Sequence, residues 1–388
     1  MKKRVLSIVL ALTMIFSLAA VTGMTASAET YGDFEYEVLN NGTVEITGYN
    51  GNSKSLDIPS TIGEKTVTII GLSAFENCKT LTSVKIPDSI TEIGGYAFEN
   101  CTSLSSVSIG KNVKYILPYA FENTAYYNDI NNWEDGILYI GDYAISGHLV
   151  KWYDEQNPFK VITEAQGDVA IKNGTRLIAD FAFGGGDKIT SVTMPNSVSI
   201  IGTLAFYGCT SLKNVSFGNG VKLIDGEAFG KCTSLSKITI PGSVTEIASY
   251  AFVDCPLIKE VTLPASVKII GTGAFGYVSS PKEDTVIEDY APLKGFHINC
   301  YEYSEAEYYA TQNGFDYTTL YAEYGDVNFD SKVNMLDVLL IRKYIAKQPI
   351  ALDNNLADVT CDDKVNMLDV LLIRKYIAKQ PVTLGPKG

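Results

Sequence analysis

The sequence predicts two architectures in series: a β-rich solenoid, then a small all-α module built from two copies of one loop-and-helix unit. Three observations carry this. The dipeptide Ala-Phe recurs with its ring at Phe75, Phe98, Phe121, Phe183, Phe206, Phe229, Phe252 and Phe275, every 23 residues except across one gap of 62. Around each Phe the apolar residues alternate and then stop at a turn, often at Pro, which reads as a short strand. Near the C-terminus KVNMLDVLLIRKYIAKQP occupies residues 332–349 and returns unchanged at 364–381. A chain of 388 residues has room for two or three domains.

The first 28 residues read as a secretory signal peptide. Lys2, Lys3 and Arg4 form a positive start, an apolar run begins at Val5, and Ala26-Ser27-Ala28 is a small-residue cleavage site. The apolar run is short for a membrane span, and no second one follows. The expected product is secreted and extracellular, with no membrane insertion. The formal charge of −13 argues against nucleic acid, whose phosphates require a basic surface. With 19% charged and 46% hydrophobic residues the chain is not one of long disorder. His148 and His297 are the only histidines, which excludes a His-rich metal site.

The repeat in words is I-x-x-x-A-F-x-x-C-x-x-L-x-x-V-x-I-P-x-S-V-x-x-I. One such unit cannot bury its own apolar face; stacked units make each template position a column through a continuous core. Five cysteines, Cys78, Cys101, Cys209, Cys232 and Cys255, fall three residues after the repeat Phe. Their periodicity favours a ladder of buried, reduced thiols over a disulfide framework. The template resembles the bacterial surface-antigen (BspA-like) class of leucine-rich repeats over about residues 31–320. That resemblance implies an N-terminal cap (29–66), a leucine-rich-repeat solenoid (67–320) with little helix, and an extracellular binding or adhesion surface. An irregular insert (127–180) fills the 62-residue gap and holds Trp133 and Trp152. Their rings either fill the core of a degenerate repeat or form a ligand surface.

Each copy of the C-terminal unit begins with a twelve-residue acidic loop, DVNFDSKVNMLD and DVTCDDKVNMLD. Oxygen donors at positions 1, 3, 5, 7, 9 and 12 of a tightly wrapped loop suit calcium. The first loop offers Asp326, Asn328, Asp330, the Lys332 carbonyl, Asn334 and Asp337. The second offers Asp358, Thr360, Asp362, the Lys364 carbonyl, Asn366 and Asp369; Thr360 is the poorer donor, which makes this the weaker site. The expected cofactor is therefore Ca2+ at two sites. Apolar spacing at Leu336, Leu339, Leu340 and Tyr344, and again at Leu368, Leu371, Leu372 and Tyr376, predicts a helix after each loop.

A duplicated calcium loop with a single exiting helix resembles a type I dockerin over about residues 325–384. The resemblance implies a non-catalytic plug for a cohesin domain of a scaffoldin, in a cellulosome-type complex devoted to polysaccharide catabolism. It places partner contacts at Met335, Leu336, Arg342, Lys343 and Lys347, and at Met367, Leu368, Arg374, Lys375 and Lys379. Met-Leu replaces the small hydroxyl pair of well-known members. Identity of the two copies implies that either helix can be offered to one partner.

The functional expectation is a secreted, non-enzymatic binding or adhesion protein whose solenoid presents a surface to a polysaccharide or cell-surface protein. Two alternatives stay open. One is a polysaccharide-degrading enzyme with a site in the insert, where Asp154 and Glu155 are adjacent but point apart on an extended chain. The other is a purely structural spacer.

Overall fold

A computed structural model of the chain describes residues 29–147, 164–280, 289–320, 323–328, 332–348, 352 and 354–385. The expected signal peptide, Trp152, Asp154, Glu155 and Asp330 lie outside the described residues. The repeats form a solenoid with two parallel β-columns. One column stacks strands such as Ser83–Ile86 on Ser106–Ile109, and Ile189–Thr193 on Asn214–Ser216. The other stacks two-residue strands: Leu177–Ile178, Ile200–Ile201, Leu223–Ile224, Glu246–Ile247 and Ile269–Ile270, each in register with the residue 23 positions on. The longer column lapses at Ser236–Ile240, where no strand is formed although Ile238 and Ile240 are buried. At the N-terminal end the antiparallel strands Glu29–Tyr31, Phe34–Val38 and Val44–Tyr49 join Lys65–Ile70 and cover the first rung.

Between the columns runs a stack of rings. All eight repeat Phe residues are buried. Neighbouring centroids lie 4.6–5.3 Å apart with planes within 10° of each other, a pitch set by the spacing of paired strands. The Phe N–H donates to the Ala carbonyl of the next rung, as in Phe75 to Ala97 and Phe206 to Ala228, at 2.8 and 2.7 Å. Delivering the ring inward requires two sharp corners per rung. The residue two before Phe has positive φ at Ser73, Tyr96, Tyr119, Phe181, Leu204, Glu227 and Tyr250, between 50° and 65°. The residue two after is again left-handed at Asn77, Asn100, Asn123, Lys231 and Asp254, with glycine at 185 and 208. For L-residues this conformation costs roughly 1–2 kcal/mol, and the buried ring returns about as much or more.

The cysteine column is a second ladder. Cys101 Sγ donates to the Phe75 carbonyl at 3.0 Å, and Cys209, Cys232 and Cys255 donate to the carbonyls of Phe183, Phe206 and Phe229 at 3.2 Å each. All seven cysteines are free. A thiol fits here because it fills a small apolar site and still satisfies a carbonyl of the preceding rung.

The 62-residue gap contains a degenerate rung. A hairpin of Ile137–Ile140 and Tyr143–Ser146 forms, and Tyr143 and Ala144 pair in parallel with Leu177 and Ile178. Gly147 N–H then donates to the Ala182 carbonyl at 2.7 Å, the bond that Phe makes elsewhere. Gly147 thus takes the ring position, and a Cβ there would lie 2.1 Å from the Phe183 ring. Three rings stand on one side of this break and five on the other. Across it, Tyr143 Oη donates to the Gly110 carbonyl at 2.5 Å and Arg176 Nη2 donates to Tyr143 Oη at 2.7 Å.

Few helices occur. α1 (Ala125–Asn128) lies in the insert, and α2 (Glu305–Asn313) closes the solenoid. Tyr309 of α2 donates its Oη–H to the Phe275 carbonyl at 2.8 Å and accepts the Phe275 N–H at 3.1 Å, occupying both backbone groups that a further rung would take. The C-terminal module consists of α3 (Met335–Ile345), α4 (Asn354–Ala357) and α5 (Met367–Ile377), with its own core of Val327, Val338, Ile341, Ala357, Val359, Val370 and Ile373.

Two predictions follow from the columns. Phe206→Ala should destabilise the solenoid by about 3–5 kcal/mol in a denaturant titration, because the rings above and below cannot close the space. A loss below about 1 kcal/mol would show that the stack is not a packed column. Burial pushes the Cys209 and Cys255 thiols up to about 12, so at pH 8 neither is a thiolate. Exposed Cys361 should therefore take iodoacetamide first in the native chain, read by peptide mass spectrometry. Modification of the column before unfolding would contradict the ladder.

Candidate docking and cation site

The two acidic loops feed the two helices through one recurring device. Asn334 accepts the Leu336 N–H, and Asn366 accepts the Leu368 N–H, both at 2.8 Å. In return Asp337 and Asp369 accept the N–H of Asn334 and Asn366 at 2.8 Å. This is a capping box with Asp in place of the usual Glu or Gln, and the carboxylates also favour the positive helix end. Their second oxygens reach the loop start. Asp337 Oδ1 accepts from Val327 N at 3.0 Å; Asp369 Oδ1 accepts from Thr360 N at 3.1 Å and Thr360 Oγ1 at 2.9 Å. Both carboxylates are fully buried, so position 12 fastens each loop to its helix.

Around the second loop, Asp358 Oδ1 accepts from Asp362 N at 3.2 Å and lies 3.1 Å from Thr360 Oγ1 as the alternative acceptor for that hydroxyl, and Asp362 accepts the Lys364 N–H at 3.0 Å. These donors hold the Asp358 carboxyl below the usual range despite the opposing effect of burial. Asp363 at position 6 has φ 62°, a left-handed turn that Asp accepts more readily than most residues; Cys361 also turns left-handed, at φ 56°. The Lys332 and Lys364 carbonyls accept from Asn334 and Asn366 Nδ2 at 3.3 Å. Donors on both loops are all oxygen, and each carboxylate oxygen can accept more than one bond, so their chemistry fits a hard divalent cation. Among the described residues, no three His, Cys, Asp or Glu side chains converge as a ready-made metal cage.

The expected helices form, and the structure shows which face each one buries. Leu336, Leu339 and Tyr344, with Leu368, Leu371 and Tyr376, do not form the core stripe. Val338 and Ile341, with Val370 and Ile373, are the buried pairs. Helical spacing alone does not show this, because MLDVLLIRKYI is apolar on more than one face. At 3.6 residues per turn, Arg374, Met367, Leu371, Lys375 and Leu368 span only about 120° of α5. The equivalent α3 residues are Arg342, Met335, Leu339, Lys343 and Leu336. The expected contacts at 335, 336, 342 and 343, and at 367, 368, 374 and 375, thus share one face per helix. Leu339 and Leu371 join them unexpectedly, 45% and 48% exposed. Lys347 and Lys379 stand just past the helix ends in left-handed backbone, φ 55° each.

In the insert, Trp133 is half-buried. Its indole N–H donates to the Tyr127 carbonyl at 2.7 Å, and its ring meets Tyr127 edge-on at 5.2 Å. Both features are those of a packing residue. Elsewhere on the solenoid, Asp180 accepts the Thr203 N–H at 3.0 Å, and burial, with Asp225 nearby, raises its carboxyl well above the usual range.

The family model for the BspA type leucine rich repeat region matches residues 49–164 and 155–282, in six copies. The dockerin type I domain model matches residues 324–378. Comparison with curated proteins finds no match. Among solved structures, a T. pallidum leucine rich repeat protein is 23% identical, covering 54% of this chain and 80% of its own, with a TM-score of 0.30. A leucine rich cell surface protein from Faecalibacterium prausnitzii is 25% identical, covering 66% and 75%, with a TM-score of 0.29. The pneumococcal vaccine antigen PcpA is 15% identical, covering 77% and 100%, with a TM-score of 0.38.

One substitution tests the capping geometry. Asp369→Ala removes the acceptor of the Thr360 and Asn366 N–H groups, while the Thr360 hydroxyl keeps Asp358 within reach. The C-terminal module should lose about 2 kcal/mol or more, since a buried donor left without a partner costs about 1–3 kcal/mol. Unfolding followed by helical circular dichroism would measure it, with the solenoid transition unmoved.

Proposed function

Because the chain belongs to the BspA-type leucine-rich repeat family and ends in a dockerin type I domain, we propose that it is an exported binding protein mounted on a scaffold. Both of its identified parts are non-catalytic binding modules. The dockerin engages a cohesin domain of a scaffoldin, and the solenoid presents a polysaccharide- or protein-binding surface within a cellulosome-type complex. The observation that carries this reading is the pairing of an all-oxygen loop with an exposed face of Met, Leu, Arg and Lys on the helix it feeds. A soluble helix this short has no folding reason to expose Met367, Leu368 and Leu371 together.

Calcium belongs to this reading through the chain's own residues. Asp326, Asn328, Asp330, the Lys332 carbonyl, Asn334 and Asp337 would hold one ion; Asp358, Thr360, Asp362, the Lys364 carbonyl, Asn366 and Asp369 would hold the other. Bound calcium neutralises the clustered carboxylates and fixes each loop on its helix. Thr360 already places its hydroxyl between Asp358 and Asp369, which lowers its value as a cation ligand and makes the second site the weaker.

The test is capture of the full chain on immobilised cohesins with calcium and then with excess chelator. Chelation should abolish capture and reduce the module's helical signal while the solenoid's β signal persists, because ligand that binds only the folded form stabilises it. Unchanged capture and helicity in chelator would mean that the loops are not calcium sites.

A further inference from the structure

The two dockerin helices have the same eleven residues but not the same surroundings. In α5, Met367 and Leu368 are 56% and 58% exposed, and Tyr376 is 40% exposed. In α3, Met335 is exposed to a similar degree, but Leu336 and Tyr344 are half-buried. Leu371 and Leu339 are comparable. The sequence is therefore symmetric and the surface is not: α5 offers Met367, Leu368 and Leu371 as one continuous apolar patch, whereas the α3 patch is partly covered at Leu336. Beside the α5 patch stand Arg374, Lys375 and Lys379, a local cationic rim on a chain whose formal charge is −13.

We propose that α5, not α3, is the helix that docks, and that its partner surface is an apolar patch bordered by carboxylates. The inference rests on the cohesin reading above and narrows it. Hydrophobic contact area decides which of two chemically identical helices is used, because the helix with all three apolar side chains free at the outset gains more buried area on association. The cations recruit an acidic border, steer encounter and disfavour partners with a basic rim. A polar partner surface leaves exposed Met367, Leu368 and Leu371 no favourable contact, so this patch selects an apolar one.

The experiment uses the full chain with calcium and a cohesin that captures the unmodified protein. Met367→Ala with Leu368→Ala should weaken capture by thirtyfold or more. Met335→Ala with Leu336→Ala should change it by less than threefold. Alanine keeps helix propensity, and unchanged helical circular dichroism with an unchanged calcium response confirms that each variant is folded. Raising ionic strength should weaken capture severalfold, mainly through the association rate. Equal mild losses from the two pairs would establish that both helices serve and overturn the proposal, as would a larger loss from the α3 pair. Salt-insensitive capture would overturn the acidic border. If no cohesin captures the unmodified chain, the docking reading itself fails, and the narrower claim with it.

Discussion

The constraint on which the solenoid depends is the pitch of paired strands. Backbone ladders fix neighbouring rungs just under 5 Å apart, and every column must then be filled by a group that tolerates a copy of itself at that distance. A flat ring does, in a near-parallel stack. A thiol does, by donating to the carbonyl of an earlier rung. A buried charge tolerates it poorly: burial raises the carboxyls of Glu45, Glu92, Asp180 and Asp225. The two left-handed corners per rung are a consequence: they turn the chain so that the ring enters the column squarely. Tyr96 and Tyr119 accept that conformation because their own rings stack on each other, at 5.3 Å.

The C-terminal module obeys a different logic. Its core is small, seven buried apolar residues among the described ones, and its loops are rich in acid. Stability there comes from fastening loop to helix through Asp337 and Asp369, the same residues that a cation would draw on. Folding and ion binding therefore act through shared atoms. A module of this kind is made rigid by its ligand, whereas the solenoid is rigid through its columns.

Most of the solenoid was legible in the sequence because its period is strict: the ring positions, the strand before Pro and the thiol column all follow from spacing. The left-handed corner before each ring was not legible, since Ser, aromatic, charged and aliphatic residues occupy it, whereas the corner after the ring carries Asn or Gly in most rungs. Gly147 was hidden for a related reason. A missing ring leaves no motif, and only its bond to Ala182 identifies the rung. In the helical module the loop donors and the capping residues could be placed by counting. The core stripe could not, because a helix apolar on several sides does not reveal which side is covered. The unequal exposure of two identical helices has no trace in a sequence that repeats without change.

Gly147 has a consequence for how the molecule carries load. A protein anchored at one end and gripping a surface along its body is pulled when flow or a moving partner separates the two. Tension along the solenoid axis is resisted rung by rung, and a break in the ring stack is the place where resistance drops. There Arg176, Tyr143 and the Gly110 carbonyl act as a bolt across the weak joint. Under force the segments on either side would part at this joint before either shed its own rungs. Each rung that then uncoils releases about 80 Å of chain at about 3.5 Å per residue. If the solenoid grips a surface while the C-terminal module is held, the irregular rung sets which joint yields first.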